Sequence, residues 1–160
     1  MNKNFLLLFS LVFLISFSMA AAPSITSRTH ADGVWSSENV ILVKISYSGA
    51  TQFAYRIVKS HESIPEPGDG STTVIDATAD EISLGSKLDG TYFLHVRAKD
   101  TSGWSDTKHY ALKIDRFGPS RPGNLTVTEE ADGTITLTWD ASLDELAGVK
   151  HYNVFRSTLL

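Results

Sequence analysis

Histidine is the residue type in this 160-residue chain with the widest chemical scope. The chain has five histidines: His30, His61, His95, His109 and His151. None stands at metal-ligand spacing from another histidine or a carboxylate, and there is no cysteine, so the sequence predicts no metal site and no thiol chemistry. His95 and His109 fall on neighbouring predicted strands, both facing outward. A zinc pair there would have only two ligands, so we expect solvated surface histidines.

The acidic and hydroxyl side chains do not form a recognisable reactive set. Asp69, Asp76, Asp80 and Glu81 make the middle of the chain acidic, but they lack the order of an EF-hand loop. We expect a solvated acidic edge, which would also protect an edge strand from pairing. The serines come with no nucleophile elbow, and no glycine-rich phosphate loop is present. The sequence therefore predicts no enzymatic activity and no cofactor.

Tryptophan offers a second kind of chemistry, the stacking of an aromatic ring on a ligand. Trp35 and Trp104 are predicted near loops, where an exposed ring could contact a sugar or a protein partner. The alternative, which we favour, is that both rings close the ends of the core. The net charge of −4 gives no electrostatic case for nucleic acid or an anionic membrane surface.

The elements that carry these residues are strands. Apolar residues alternate with polar ones in residues 39–47, 52–59, 91–99 and 107–114. Period two with β-branched residues is typical of half-buried strands. Shorter strands are predicted at 72–75 and 81–84. Strands at this spacing, separated by Gly, Pro and Asp turns, predict an antiparallel β-sandwich.

The N-terminus has the order of a secretory signal peptide. A short start with Lys3 is followed by an apolar run from Phe5 to Phe17 and by small residues up to Ala22. We predict a signal-peptide helix over residues 1–22, and hence a secreted or cell-surface protein. The alternative is an uncleaved anchor, which would be the chain's one association with a membrane.

A second unit is predicted after a break rich in proline and glycine at residues 117–123. Three more strand patterns follow, at residues 124–128, 134–139 and 150–156. We therefore divide the chain into a signal peptide (1–22), a first sandwich (23–116) and part of a second one (117–160).

The first sandwich resembles a known family. Residues 88–100 read LDGTYFLHVRAKD and are followed by Gly103-Trp104-Ser105, similar to the F–G hairpin of bacterial and archaeal immunoglobulin-like domains. His30 and Trp35 resemble the start of that family's domain. The resemblance implies an immunoglobulin-like sandwich over about residues 24–116. In such a sandwich Tyr92 would be the corner tyrosine, whose hydroxyl bonds back to the upstream chain.

The second unit resembles a fibronectin type III domain. Residues 119–127 (PSRPGNLTV), 135–139 (ITLTW) and 152–157 (YNVFRS) are similar to its strands A, B and C. Trp139 and Tyr152 are the most specific part of this resemblance. It implies an incomplete sandwich, because such domains run to roughly 90–100 residues.

Together these observations predict an all-β protein that performs no chemistry. We expect a structural or adhesive module, either a spacer or an interaction domain, of a larger secreted or cell-surface protein. The alternative is an accessory or carbohydrate-binding module of a secreted hydrolase. The expected partner is a protein or a polysaccharide at the cell surface.

Overall fold

The computed structural model describes residues 21–78 and 80–157, and every regular element in them is a strand. Residues 1–20 of the predicted signal peptide lie outside this range. No helix that could cross a membrane occurs in the part of the chain that is described. The predicted fold class, an all-β sandwich, is confirmed.

Eleven strands lie in the described residues. They are β1 (Ser24–Ser27), β2 (Trp35–Ser36), β3 (Leu42–Ser46), β4 (Gln52–Val58), β5 (Thr73–Asp76), β6 (Ile82–Ser83), β7 (Gly90–Asp100), β8 (Gly103–Trp104), β9 (Lys108–Ile114), β10 (Gly123–Glu129) and β11 (Ile135–Asp140).

The first nine strands form two sheets. The small sheet has the order β1-β3-β6, and the large sheet has the order β2-β9-β7-β4-β5, with β8 added to β7. Pairing is antiparallel throughout, except that β2 runs parallel to β9. The long strand β7 lies between β9 and β4 and is the centre of the large sheet.

The core lies between these two sheets and consists of the alternating apolar residues. Ile41, Val43, Leu94 and Leu112 are fully buried, as the period-two pattern predicts. Full burial of an aliphatic side chain of this size contributes about 1.5–3 kcal/mol. With no disulfide in the chain, this packing is the main source of its stability.

The buried tyrosine hydroxyl belongs to Tyr110 rather than to Tyr92. Tyr110 on β9 is 4% exposed and donates a hydrogen bond of 2.7 Å to the backbone oxygen of His30, 80 residues upstream. Tyr92 is half-buried, and Lys59 Nζ lies 5.8 Å from the centre of its ring. The prediction that Tyr92 makes the corner bond is therefore wrong. Both tyrosines point inward, but Tyr110 lies opposite the segment that carries the free carbonyl.

Strands β10 and β11 form a separate two-stranded sheet. One of its faces carries Leu125, Val127, Leu137 and Trp139, and the other face carries threonines, of which Thr126 and Thr138 lie within 2.6 Å through their hydroxyls. Leu125 and Val127 are 63% and 64% exposed. This face is thus apolar and largely uncovered by the described residues.

The predicted strand at residues 150–156 is wrong. The chain there follows the apolar face of β10 and β11 without forming a ladder. A strand must hydrogen-bond to the edge of a neighbouring strand, whereas residues 152–155 lie against the apolar face of this sheet. The rings of Trp139 and Tyr152 meet edge to face, 5.4 Å apart. The Tyr152 hydroxyl accepts a 2.7 Å hydrogen bond from the backbone N–H of Ser142.

Candidate functional site

The outer face of the large sheet is crossed by residues 59–72, which we call the covering loop. Two prolines and two glycines keep this segment out of a strand, and Gly68 and Gly70 adopt positive φ values of 95° and 73°. Pro65, in the middle of the loop, is fully buried. The loop therefore packs onto the sheet instead of extending into solvent.

Arg56 on β4 holds the second half of the covering loop. Its Nη1 atom lies 2.8 Å from Asp69 Oδ2 and donates to the backbone oxygen of Ile64 at 3.3 Å. Asp69 also accepts bonds from the backbone N–H groups of Ser71 and Thr72. Desolvation opposes ionisation of Asp69, but these donors lower the pKa of its carboxyl below the ordinary value.

A β-bulge between β8 and β9 forms the opposite side of the site. Two residues of β7, Arg97 and Ala98, face three residues of the other strand, 105–107. Ser105 is 3% exposed and fastens the bulge: its N–H donates to Ala98 O at 2.8 Å, and its Oγ accepts from Ala98 N at 2.9 Å. The bulge thus bows away from β7 while both of its ends stay in the sheet.

A cleft of about 680 Å³ separates the covering loop from the bulge. It is lined by Glu62, Ser63, Ile64, Glu66, Arg97, Ser105, Asp106, Thr107 and His109. Arg97 joins the two walls, because its Nη1 lies 2.9 Å from Glu66 Oε1 and its Nε donates to Ser105 O at 2.9 Å. Three carboxylates against one guanidinium make the lining acidic.

Three histidines meet beside this cleft. His95 Nδ1 lies 2.6 Å from His109 Nδ1, and His95 Nε2 lies 3.0 Å from the backbone oxygen of Ser60. The ring of His61 stacks on that of His109, with centroids 5.5 Å apart and planes inclined by 21°. The edge of His61 also meets Phe93, at 5.0 Å.

The prediction that His95 is a solvated surface residue is wrong. Its side chain is on the outer face of β7, as predicted, but it is 0% exposed because the covering loop lies on it. Burial lowers its pKa, the nearby His109, Arg56 and His61 lower it further, and the bond to Ser60 opposes them.

His61 and Glu62 are joined by a 2.8 Å contact, and the pKa of Glu62 is lowered by that hydrogen bond and by the charge of His61. In residues 21–78 and 80–157 no three His, Cys, Asp or Glu residues could hold a metal ion.

The two candidate ligand-contact tryptophans lie at different places on the large sheet. Trp104 on β8 is half-buried, with Arg97 and Lys99 at 6.0 and 5.7 Å from its ring centre, so it adjoins the cleft. Trp35 on β2 is half-buried beside Lys113, at 5.6 Å. Neither ring belongs to the buried cluster between the sheets. The favoured interpretation, that both rings close the ends of the core, stays a prediction.

Several residues of the site carried no signal in the sequence. His61 and Glu66 sit in a segment that reads only as a polar loop, and their partners, His109 and Arg97, are far away along the chain. Ser105 appears in the sequence only as part of a family resemblance, and its bonds to Ala98 carried no signal. His95 and His109 did carry a signal, since their positions on adjacent strands predicted that they would be neighbours. The period-two alternation of β7 and β9 also placed Arg97 on this face, but it could not identify Glu66 as its partner.

Comparisons with known proteins give limited matches. No family model matches the chain. Chitinase A1 of Niallia circulans is 26% identical over 147 residues, which cover 87% of this chain and 20% of the chitinase, so the chain spans about a fifth of that relative. Among solved structures, the fn3 domain of human collagen alpha-1(XX) chain matches 66% of this chain and 98% of its own length, at 16% identity and a TM-score of 0.39.

Proposed function

We propose that the chain is an exported, non-catalytic module of a larger secreted or cell-surface protein. It acts by presenting a polar surface, the cleft between the covering loop and the bulge, to a partner outside the cell. Residues 1–22 act as the signal peptide that exports it. Residues 23–116 are the immunoglobulin-like sandwich, and residues 117–160 are the start of a fibronectin type III unit.

One observation carries this proposal: three polar side chains at the cleft are engaged in holding its walls. Arg97 is bonded to both walls, the Ser105 hydroxyl fastens the bulge, and His95 is bonded on both of its nitrogens. Groups fixed in this way are suited to contact and positioning. A general base or nucleophile needs instead a reactive atom within reach of a substrate.

The test has two parts, applied to the full chain. Expression with and without residues 1–22 in a bacterial host should place the protein outside the cytoplasm only when those residues are present. The purified chain, incubated with chitin, other glycosides, peptides and esters, should release no product above a buffer control. Turnover that persists through further purification would overturn the non-catalytic assignment, and export without residues 1–22 would overturn the signal-peptide assignment.

A second candidate function is favoured by the similarity to a chitinase. In this interpretation the chain is an accessory module of a polysaccharide-degrading enzyme and touches the polysaccharide itself. Trp104 is the best contact, because it is half-exposed and adjoins the acidic, hydroxyl-lined cleft. Aromatic rings beside polar groups are suited to sugars, which have both apolar faces and hydroxyl edges.

Tryptophan fluorescence titrated with soluble chitin oligosaccharides tests this second function. We expect a shift in the emission of the wild type, loss of the shift in Trp104→Ala, and retention of the shift in Trp35→Ala. The Trp35 variant is a matched control, since that ring lies beside Lys113 and away from the cleft. An unchanged wild-type spectrum, or equal loss in both variants, would count against sugar binding at the cleft.

A further inference from the structure

We infer that His95 and His109 form an acid-sensitive latch that fastens the start of the covering loop to the sheet and releases it when both members of the pair are protonated. The latch acts on residues 60–63, which form one wall of the cleft. This inference stands apart from the proposed function, because it depends only on hydrogen bonds within the chain.

The hydrogen bonds fix where the protons of the pair lie. A backbone carbonyl can only accept, so His95 Nε2, 3.0 Å from Ser60 O, must carry a proton. When His95 is neutral, its Nδ1 is then an acceptor, and the contact of 2.6 Å requires His109 Nδ1 to be the donor. The two rings are therefore opposite tautomers: His95 is protonated on Nε2 and His109 on Nδ1.

The pair tolerates one extra proton but not two. A first proton can go to His109 Nε2, which leaves the bond between the rings intact. A second would have to go to His95 Nδ1, where it would face the N–H of His109 at 2.6 Å. Two donors cannot share one hydrogen bond, so the contact is lost, and two cations are left side by side.

The charges facing His95 come from four directions, and most of them are positive. Arg56 lies directly opposite on β4, His109 lies opposite on β9, and Arg97 is two residues along on the same face of β7. The covering loop contributes His61 above the pair. Three of the carboxylates in this region are already paired: Glu62 with His61, Glu66 with Arg97 and Asp69 with Arg56. The fourth, Asp106, lines the cleft on the side of the bulge together with His109.

The fastenings divide the covering loop into two parts. Residues 60–63 are held by the His95–Ser60 bond and by the rings stacked on His61. Protonated His95 can still donate to Ser60 O, so opening is favoured by the cost of burying two adjacent cations under this part of the loop and not by loss of that bond. Residues 64–72 are held by Arg56 and Arg97 through Asp69, Glu66 and Ile64 O, and none of these contacts involves a histidine. Acid below about pH 6 should therefore release only the first part.

The pH dependence of loop opening follows from the one proton that the histidine pair binds in the open form and not in the closed form. A histidine with an ordinary pKa of about 6.5 in the open form, but held neutral in the closed form, favours opening about 30-fold more at pH 5.0 than at pH 7.5. The direction of the pH dependence is that of a base whose pKa is lower in the closed form than in the open form. The closed form is fully favoured above pH 6.5 and loses its advantage as the pH falls below that value.

NMR on the full chain tests the latch. At pH 7.5, long-range proton–nitrogen spectra should show His95 protonated on Nε2 and His109 on Nδ1. At pH 5.0, the heteronuclear NOE of residues 60–63 should fall, while that of residues 66–72 should not. The reverse tautomers, or a loop that responds along its whole length, would overturn the inference.

The variant that separates a latch from general acid sensitivity is His109→Gln. A neutral amide can donate to neutral His95 and can turn to accept from protonated His95, so this variant should stay closed at pH 5.0. His151→Gln, an exposed histidine of the second unit, is the matched control and should open like the wild type. Opening of His109→Gln at the same pH as the wild type would refute the latch. If that variant does not fold, the wild-type tautomers decide the question.

Discussion

Replacing Tyr110 by phenylalanine removes one oxygen atom from the interior of the first sandwich. The Tyr110 hydroxyl is buried and donates a hydrogen bond of 2.7 Å to His30 O. The substitution keeps the ring and its packing, but it leaves a buried carbonyl without a partner. We expect a loss of about 2 kcal/mol in the free energy of unfolding, within the range of about 1–3 kcal/mol for such a group.

Native-state hydrogen exchange of the β7 and β9 amides measures this loss in the first sandwich alone. A loss of about 2 kcal/mol corresponds to exchange about 30-fold faster at pH 7. Tyr92→Phe is the matched control, and its exchange should change by less than about 0.5 kcal/mol, since that ring is half-buried beside Lys59. Equal effects of the two substitutions, or no effect of Tyr110→Phe, would refute the assignment of the corner bond.

An alkaline titration gives a second test of the same bond. Burial raises the pKa of Tyr110, and the charge of Asp32 raises it further, although a backbone hydrogen bond involving Asp32 opposes them. An acid with a raised pKa loses its contribution to stability as the pH rises above its ordinary value of about 10. In urea denaturation followed by circular dichroism, the wild type should lose more stability between pH 9 and 11 than Tyr110→Phe. Parallel curves would contradict this reasoning.

Three further predictions follow from burial and bonding. Ser105→Ala should destabilise the sandwich by about 1–3 kcal/mol, because the Ala98 N–H loses its acceptor. In the same exchange measurement, Ser102→Ala at the exposed turn should change the stability by less than about 0.5 kcal/mol. Leu94→Ala should cost about 3 kcal/mol or more in urea unfolding, and Leu125→Ala, 63% exposed, less than about 0.5 kcal/mol. Phe155→Ser should weaken binding of the dye ANS, because Phe155 is 91% exposed on the apolar face of the second unit. Hydrogen exchange of the β7 amides should not change. Equal dye binding by the variant and the wild type would show that this face is covered.

The strand pattern was largely predictable because alternation is a local property. Ile41, Val43, Leu94 and Leu112 were all expected on the inner face, and all are buried. Side chains of a strand point to opposite faces in turn, so the sequence of one segment determines which residues share a face. The bounds of β7 and β9 are within one residue of those predicted.

The candidate site was predictable only in part. The proximity of His95 and His109 followed from their places on adjacent strands, since antiparallel pairing brings such residues opposite one another. The burial of His95 did not follow, because it depends on a loop that leaves β4 and returns across the face of the sheet. The bulge at Ser105 was also missed, since it depends on the register of three strands and not on the residue itself.

The sequence by itself determined the class of the fold and the faces of its strands. The tertiary structure alone decided that Tyr110 and not Tyr92 bonds to His30, that residues 150–156 form no strand, and that a covering loop converts an outward histidine into a buried one. The physical reason is the same in each case. Alternation sets the direction in which a side chain points, but the partner it meets comes from a segment tens of residues away, whose position depends on the packing of the whole sandwich.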